Sequence, residues 1–114
     1  MQGVNIQLDK KRTLRFDFNA LSDIEEQAGY RGILYLISER SIGFNTLRLM
    51  VWGGLRWQDE ELTIKQAGEI LQKYMEDEGD MQRLGDNIRE ALIESGLLGK
   101  KKSKEVTEKA ETEK

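Results

Sequence analysis

The chain has 114 residues, with 18 Lys and Arg against 21 Asp and Glu, a net charge of -3, and no His, Cys or Pro. This length favours a single domain. Without His or Cys there is no thiolate or imidazole metal ligand, no disulfide, no His-activated Ser or Cys nucleophile and no histidine pH switch. The small acidic excess disfavours nucleic-acid binding, which normally requires a basic surface.

The sequence carries no signal for a membrane or for export. No apolar run reaches the roughly 18 residues of a transmembrane helix. The segment Met1–Leu8 has neither the basic start nor the apolar stretch of a secretory signal. We therefore expect a soluble cytoplasmic protein without a membrane partner, and the absence of Cys fits a reducing compartment.

Two short segments near the N-terminus alternate apolar and polar residues, as β-strands do. The apolar positions are Val4, Ile6 and Leu8, then Leu14, Phe16 and Phe18. This predicts a β-hairpin over residues 4–18 whose apolar face docks on helices. Both sets are even-numbered, so facing residues must have numbers that sum to an even value, such as Ile6 with Leu14 or Phe16. The turn should then hold three or five residues.

After Phe18 the apolar spacing becomes helical, and four or five short helices are expected. Asn19 is the candidate N-cap of the first helix, which carries Leu21, Ile24 and Ala28 and ends at Gly29. The apolar cluster 33–37 predicts a short second helix, although a buried strand has the same composition.

The next helix is expected to begin with Asn45 or Thr46 as its cap, with Phe44 lying against its first turn. Its apolar residues are Leu47, Met50, Val51 and Leu55. The clearest helix start follows, where Thr63 and Gln66 have the spacing of a capping box. The apolar face of that helix consists of Ile64, Ala67, Ile70, Leu71 and Tyr74.

A last helix is predicted from about Asp80 to Ser95, with Gly96 directly after it. Its inward positions are Met81, Leu84, Ile88, Ala91 and Leu92. The fold class is therefore α+β and mainly α: one globular domain over 1–99, with the hairpin at 4–18 and the helical part at 19–98.

Residues 100–114 have a different composition from the rest of the chain. They hold six Lys and four Glu, with Val106 as the only aliphatic side chain of any size. They cannot bury enough apolar surface to offset the entropy of ordering, so we predict a disordered tail. Their charge is +2, which leaves the domain at -5.

Candidate catalytic and ligand sites are weak. The acidic runs 59–61 and 76–80 lack the ligand spacing of a calcium loop. Gly53-Gly54 matches no phosphate-binding loop, and close packing of the helix explains it better. We expect no metal, no cofactor and no enzymatic activity.

The segment Leu62–Leu71 is similar to the first helix of a helix-turn-helix, which would make the chain a small acidic DNA-binding regulator. The acids at 76–80 would then face the DNA phosphates, which disfavours this alternative.

Two tryptophans lie close in sequence to two arginines. Trp and Arg are the residue types most enriched at the centres of protein interfaces. They predict a partner-binding site, or alternatively cap the core; the four residues are Arg48, Trp52, Arg56 and Trp57.

The order of several segments resembles the tail assembly chaperones of long-tailed bacteriophages and related gene-transfer particles. The resemblance spans residues 4 to about 96 and rests mainly on L-R-F-D-F-N-A-L from Leu14, L-R-x-M-V-W-G-G-L from Leu47, and Leu62-Thr63 opening a helix. It implies a hairpin-plus-helix fold and a non-enzymatic protein. Such a protein binds the tape-measure protein, recruits tail-tube subunits and is absent from the finished particle.

We also expect self-association along the tape measure, and the resemblance further implies a longer product made by ribosomal frameshifting. Lysine codons are A-rich, so Lys100–Lys102 is compatible with a slippery site. A structural or adaptor subunit that remains in the particle is the other alternative.

Overall fold

The computed structural model describes residues 3–38, 42–77 and 79–98. The predicted α+β, mainly α class is confirmed: a two-stranded hairpin precedes five helices. The elements are β1 (Val4–Gln7), β2 (Lys11–Leu14), α1 (Phe18–Gln27), α2 (Ile33–Ile37), α3 (Phe44–Leu55), α4 (Ile64–Glu76) and α5 (Met81–Ser95). None of the helices in these ranges has both the length and the apolar character needed to cross a bilayer. The predicted tail, 100–114, lies outside the described residues.

The hairpin has the predicted parity but a different set of facing residues. Val4 lies opposite Leu14 and Ile6 opposite Arg12. Facing numbers sum to an even value and the turn at 8–10 has three residues, so both of those predictions are confirmed. The suggested pairing of Ile6 with Leu14 or Phe16 is wrong, because the turn centres on Asp9.

The second strand ends earlier than the apolar alternation suggests. Asp17, not Asn19, is the N-cap of α1, and its side chain accepts a 2.7 Å hydrogen bond from the Ala20 amide. Phe18 is therefore the first helical residue and is 74% exposed, whereas Phe16 is completely buried. Strand β2 therefore ends at Leu14, four residues before the predicted end of the hairpin at Phe18, because the chain already caps α1 at Asp17.

The start of α3 also differs from the prediction. Its N-cap is Gly43, which offers no side-chain hydrogen bond, so neither Asn45 nor Thr46 caps the helix. The Asn45 side chain instead accepts a 3.0 Å hydrogen bond from Arg48. Phe44 is the first residue of α3 and is 81% exposed, so it does not pack against the first turn.

The start of α4 and both ends of α5 are as predicted. Thr63 and Gln66 form both hydrogen bonds of the capping box, at 3.0 and 2.9 Å. Asp80 caps α5, and Gly96 follows its last turn with a φ of 74°, the left-handed conformation that glycine adopts easily.

Helix α3 lies at the centre of the molecule. The helices α1, α4 and α5 and the strand β2 all pack on it, and its residues from Leu49 to Leu55 are all buried. A methyl group on Gly54 would lie 2.9 Å from the Leu14 side chain, and one on Gly53 would overlap Ile24 of α1. Close packing therefore explains the glycine pair, as predicted.

Candidate protein-binding site

Three of the four predicted partner-binding residues lie on one side of α3. Arg48, Trp52 and Arg56 are spaced by four residues, which places them one above another along the helix. Trp57 lies in the turn that follows α3. The structure gives these side chains three different environments.

Trp52 and Arg56 are engaged within the protein. Trp52 is only 8% exposed, and its indole N–H donates a 3.0 Å hydrogen bond to the carbonyl of Leu62. The Arg56 guanidinium lies 4.8 Å from the centre of the Trp52 ring and 3.0 Å from the carboxylate of Asp23 in α1. These contacts hold the end of α3 against its neighbours.

Trp57 covers the outer edge of β2. Its indole N–H donates a 2.9 Å hydrogen bond to the carbonyl of Thr13, and the Arg15 guanidinium lies 5.0 Å from its ring centre. Its ring is still partly open to solvent. A contact with a partner is compatible with this position, and the partner-binding role of the four residues stays a prediction.

Arg48, one turn before Trp52 on the same side of α3, is the one of the four that lines a groove between α3, α4 and the start of α5. We call this cavity of about 420 Å³ the α3–α4 groove. Its lining is mostly apolar and consists of Phe44, Asn45, Leu47, Arg48, Gly68, Leu71, Gln72, Met75 and Met81.

The groove has the composition of a protein-binding surface. Phe44 is 81% exposed and Met75 is 41% exposed at its rim. Gly68 leaves its floor open: a Cβ there would lie only 3.2 Å from the Arg48 side chain. An apolar centre with a few polar residues at the edge is typical of interfaces, and flexible Met side chains adapt to different partners.

Of the residues that line this groove, sequence reasoning named only Arg48 as a candidate for partner binding. Phe44 and Met75 were missed because each lies on a different helix, and nothing local shows that the two helices meet. One signal was present: Gly68 and Met75 lie beside Leu71 and widen the apolar face of α4 beyond the predicted core positions.

A second apolar surface shares no lining residue with the α3–α4 groove. Phe18, Leu34 and Leu97 are exposed around a cavity of about 350 Å³ between α1, α2 and the segment after α5. We call it the α1–α2 patch. It provides a matched surface for control substitutions, because its exposed residues are also large and apolar.

The ion pair of Asp9 and Arg12 is the clearest electrostatic feature. The hydrogen bond from Arg12 lowers the pKa of Asp9, and the same bond raises the pKa of Arg12. Both groups lie at the hairpin turn, away from the groove. Among the residues that the structure describes, no three carboxylates come together in a way that could hold a metal ion.

Comparison with known proteins gives no relative: no protein-family model, no curated protein and no solved structure matches this chain.

Proposed function

We propose that this protein is a non-enzymatic tail assembly chaperone of a long-tailed phage or gene-transfer particle. It acts in the cytoplasm of the bacterial host, binds the tape-measure protein, recruits tail-tube subunits and does not remain in the virion. The observation that carries the proposal is the α3–α4 groove, an open apolar surface on an acidic domain. The resemblance in the order of the sequence segments supports it.

The exposed residues of the groove supply binding energy of a useful size. Burying a side chain such as Phe44 or Met75 completely contributes about 1.5–3 kcal/mol. Association and side-chain ordering oppose this gain. A few such side chains therefore favour binding that is specific but reversible, as a protein that must later leave its partner requires.

The shape of the groove favours a helical partner. Its α4 wall is formed by residues 68, 71, 72 and 75, which lie on one face of that helix. The opposite wall is the first turn of α3. An amphipathic helix that lays its apolar face between two such walls is a common mode of recognition, and a carboxylate beside that face would pair with Arg48.

The test is co-expression with the product of a tape-measure gene encoded beside this one. We expect the wild-type protein to keep the tape-measure protein soluble and to co-purify with it. Phe44→Ser should weaken the complex by about ten-fold or more, because it removes the most exposed ring of the groove. Leu34→Ser in the α1–α2 patch is the matched control and should leave the complex unchanged.

Thermal unfolding of both variants shows whether they are folded. A folded Phe44→Ser protein that binds as well as the wild type would exclude the groove as the binding site.

Two further experiments test the role of the protein and its proposed longer form. Finding the protein in purified virions would contradict the chaperone role and favour a structural subunit. The proposed frameshift product has its own test, which is mass spectrometry for a longer form that shares residues up to about Lys100.

A further inference from the structure

The two edges of the hairpin differ in how many hydrogen-bond partners they have within the protein. The outer edge of β2 is covered, because Trp57 binds the Thr13 carbonyl at 2.9 Å and the Arg15 amide binds the Gly54 carbonyl at 2.9 Å. Within the described residues, β1 pairs with β2 and with no other strand. Its sequence, Val-Asn-Ile-Gln, has none of the charges or prolines that usually protect a strand edge.

A groove runs along the open side of β1. This cavity of about 580 Å³ touches every residue from Asn5 to Asp9. Successive side chains of a strand point to opposite faces of the sheet. A cavity that touches all of them therefore follows the strand edge and does not lie over one face. We call it the β1-edge groove.

The opposite wall is built by the turn between α4 and α5 and by one face of α5. Asp80, Arg83 and Asn87 are spaced three and four residues apart, so they line the groove together. The Tyr74 hydroxyl donates to the Asp80 carbonyl at 2.9 Å and accepts from the Asp80 amide at 3.0 Å. A Cβ on Gly79 would overlap Tyr74, so the turn packs tightly.

Walls on both sides limit what can enter. A single extended chain brings far less bulk beside β1 than a second copy, which would carry its own hairpin and helices with it. Because the turn is held by hydrogen bonds within the protein, the groove exists before binding, which lowers the ordering cost for a ligand.

The charge of the surface indicates the chemistry of the ligand. Three aspartates and one arginine line the β1-edge groove, and two of the aspartates are already paired, Asp9 with Arg12 and Asp77 with Lys73. The adjoining cavity, which shares Asp9, adds Asp59, Glu61 and Glu69 against Arg12 and Lys73. An extended segment that carries Lys or Arg is therefore favoured over an acidic one.

We propose that the β1-edge groove binds an extended, basic segment of a partner protein, which adds a third strand beside β1. Main-chain hydrogen bonds to β1 hold the segment, and a basic side chain pairs with the carboxylate of Asp80. This site is separate from the α3–α4 groove, and it does not depend on the proposed chaperone function.

The probe is a fluorescein-labelled heptapeptide, TKVTVKT, titrated into the full-length protein by fluorescence anisotropy. The acidic peptide TEVTVET should bind at least about ten-fold more weakly. Two further versions of TKVTVKT carry N-methyl groups on alternate amides, one version for each edge of the peptide. One of them should lose binding. Equal binding by both would show a purely electrostatic contact and would overturn the proposal.

Protein variants locate the site. Asp80→Asn keeps an N-cap residue for α5 but removes the charge, and it should weaken binding of TKVTVKT about ten-fold. Asp86→Asn is the matched control on α5 outside the groove, and it should not change binding. Unchanged affinity in a folded Asp80→Asn protein would exclude this groove.

Hydrogen exchange shows which backbone amides of the protein bind TKVTVKT. Bound TKVTVKT should slow exchange of the Val4–Gln7 amides, and an unchanged rate there would overturn strand addition.

A further variant tests whether the chain fills its own groove. Val106→Pro blocks strand pairing by the chain's own C-terminal segment. Tighter binding of TKVTVKT by that variant would identify residues 99–114 as the occupant and overturn the choice of a partner segment.

Discussion

Asp9 and Arg12 clamp the hairpin turn through two parallel hydrogen bonds. The Arg12 Nε and Nη2 atoms each donate to one carboxylate oxygen at 2.9 Å. Both side chains are mostly covered by their surroundings. Such a two-pronged contact is stronger than a typical surface ion pair. It also selects the three-residue turn, because it joins one turn residue to the second residue of β2.

Asp9→Asn should lower the free energy of unfolding at neutral pH by about 1 kcal/mol. The hydrogen bond with Arg12 lowers the pKa of Asp9 in the folded protein below its ordinary value, about 3.9. The contribution is therefore complete above that ordinary value and is lost as the pH falls through the folded pKa. Urea unfolding at several pH values measures it.

The difference between wild type and Asp9→Asn should shrink below about pH 4. Asp86→Asn is the matched control, because its carboxylate accepts a 3.4 Å hydrogen bond from the neutral side chain of Gln82 and not from an arginine. A gap for Asp9→Asn that stays constant down to pH 2 would mean that the variant acts through its shape and not through the charge of Asp9.

Gly53 shows how one hydrogen atom can decide the packing of two helices. Gly53→Ala should lower the free energy of unfolding by about 1–3 kcal/mol, because the new methyl group overlaps Ile24. Gly85→Ala should instead raise it by about 0.5–1 kcal/mol, since alanine favours a helix and its nearest neighbour is 3.7 Å away. Chemical unfolding of both variants checks this, and a stabilising Gly53→Ala would show that α1 can move aside.

At the scale of the elements, prediction succeeded where the signal is local. The cap of α4 depends on Thr63 and Gln66, which are three residues apart, and the end of α5 depends on Gly96. The predicted end of the hairpin was wrong because both Asp17 and Asn19 can cap a helix. The alternation of apolar residues does not show which of the two does so. Only packing separates the buried Phe16 from the exposed Phe18.

Thr63→Ala should lower the free energy of unfolding by about 1 kcal/mol, because the amide of Gln66 loses its acceptor. Amides in the first turn of α4 should also exchange faster. Thr46→Ala is the control: Thr46 lies in the first turn of α3, but it is not the cap. An equal loss in both variants would indicate a general effect of helix composition, not capping.

At the scale of the whole molecule, the candidate binding groove is a product of tertiary structure. Its walls come from the start of α3, the α4 helix and the start of α5. The lining residues therefore extend along the sequence from Phe44 to Met81. The sequence identifies each helix, and it identified Arg48 as a candidate. It does not show that Phe44 and Met75 face the same space, because that depends on how α3 and α4 cross.

Protection against hydrogen exchange should follow the same organisation. We expect the slowest amides in α3, because opening that helix exposes the surfaces of all its neighbours. The shortest helix, α2, should exchange fastest among the five, since only Ile33 and Leu36 of its side chains are buried. Exchange measured by mass spectrometry or NMR checks this. Slower exchange in α5 than in α3 would place the most stable unit elsewhere.

The central position of α3 has a consequence for synthesis on the ribosome. The hairpin and α1 are made first, yet Leu14, Phe16 and Ile24 pack against glycines that lie at positions 53 and 54. The surface of α3 on which these side chains pack does not exist until about half of the chain has been translated. The hairpin and α1 therefore cannot reach their native packing before α3 has been made, and we expect the domain to fold only once that helix is available.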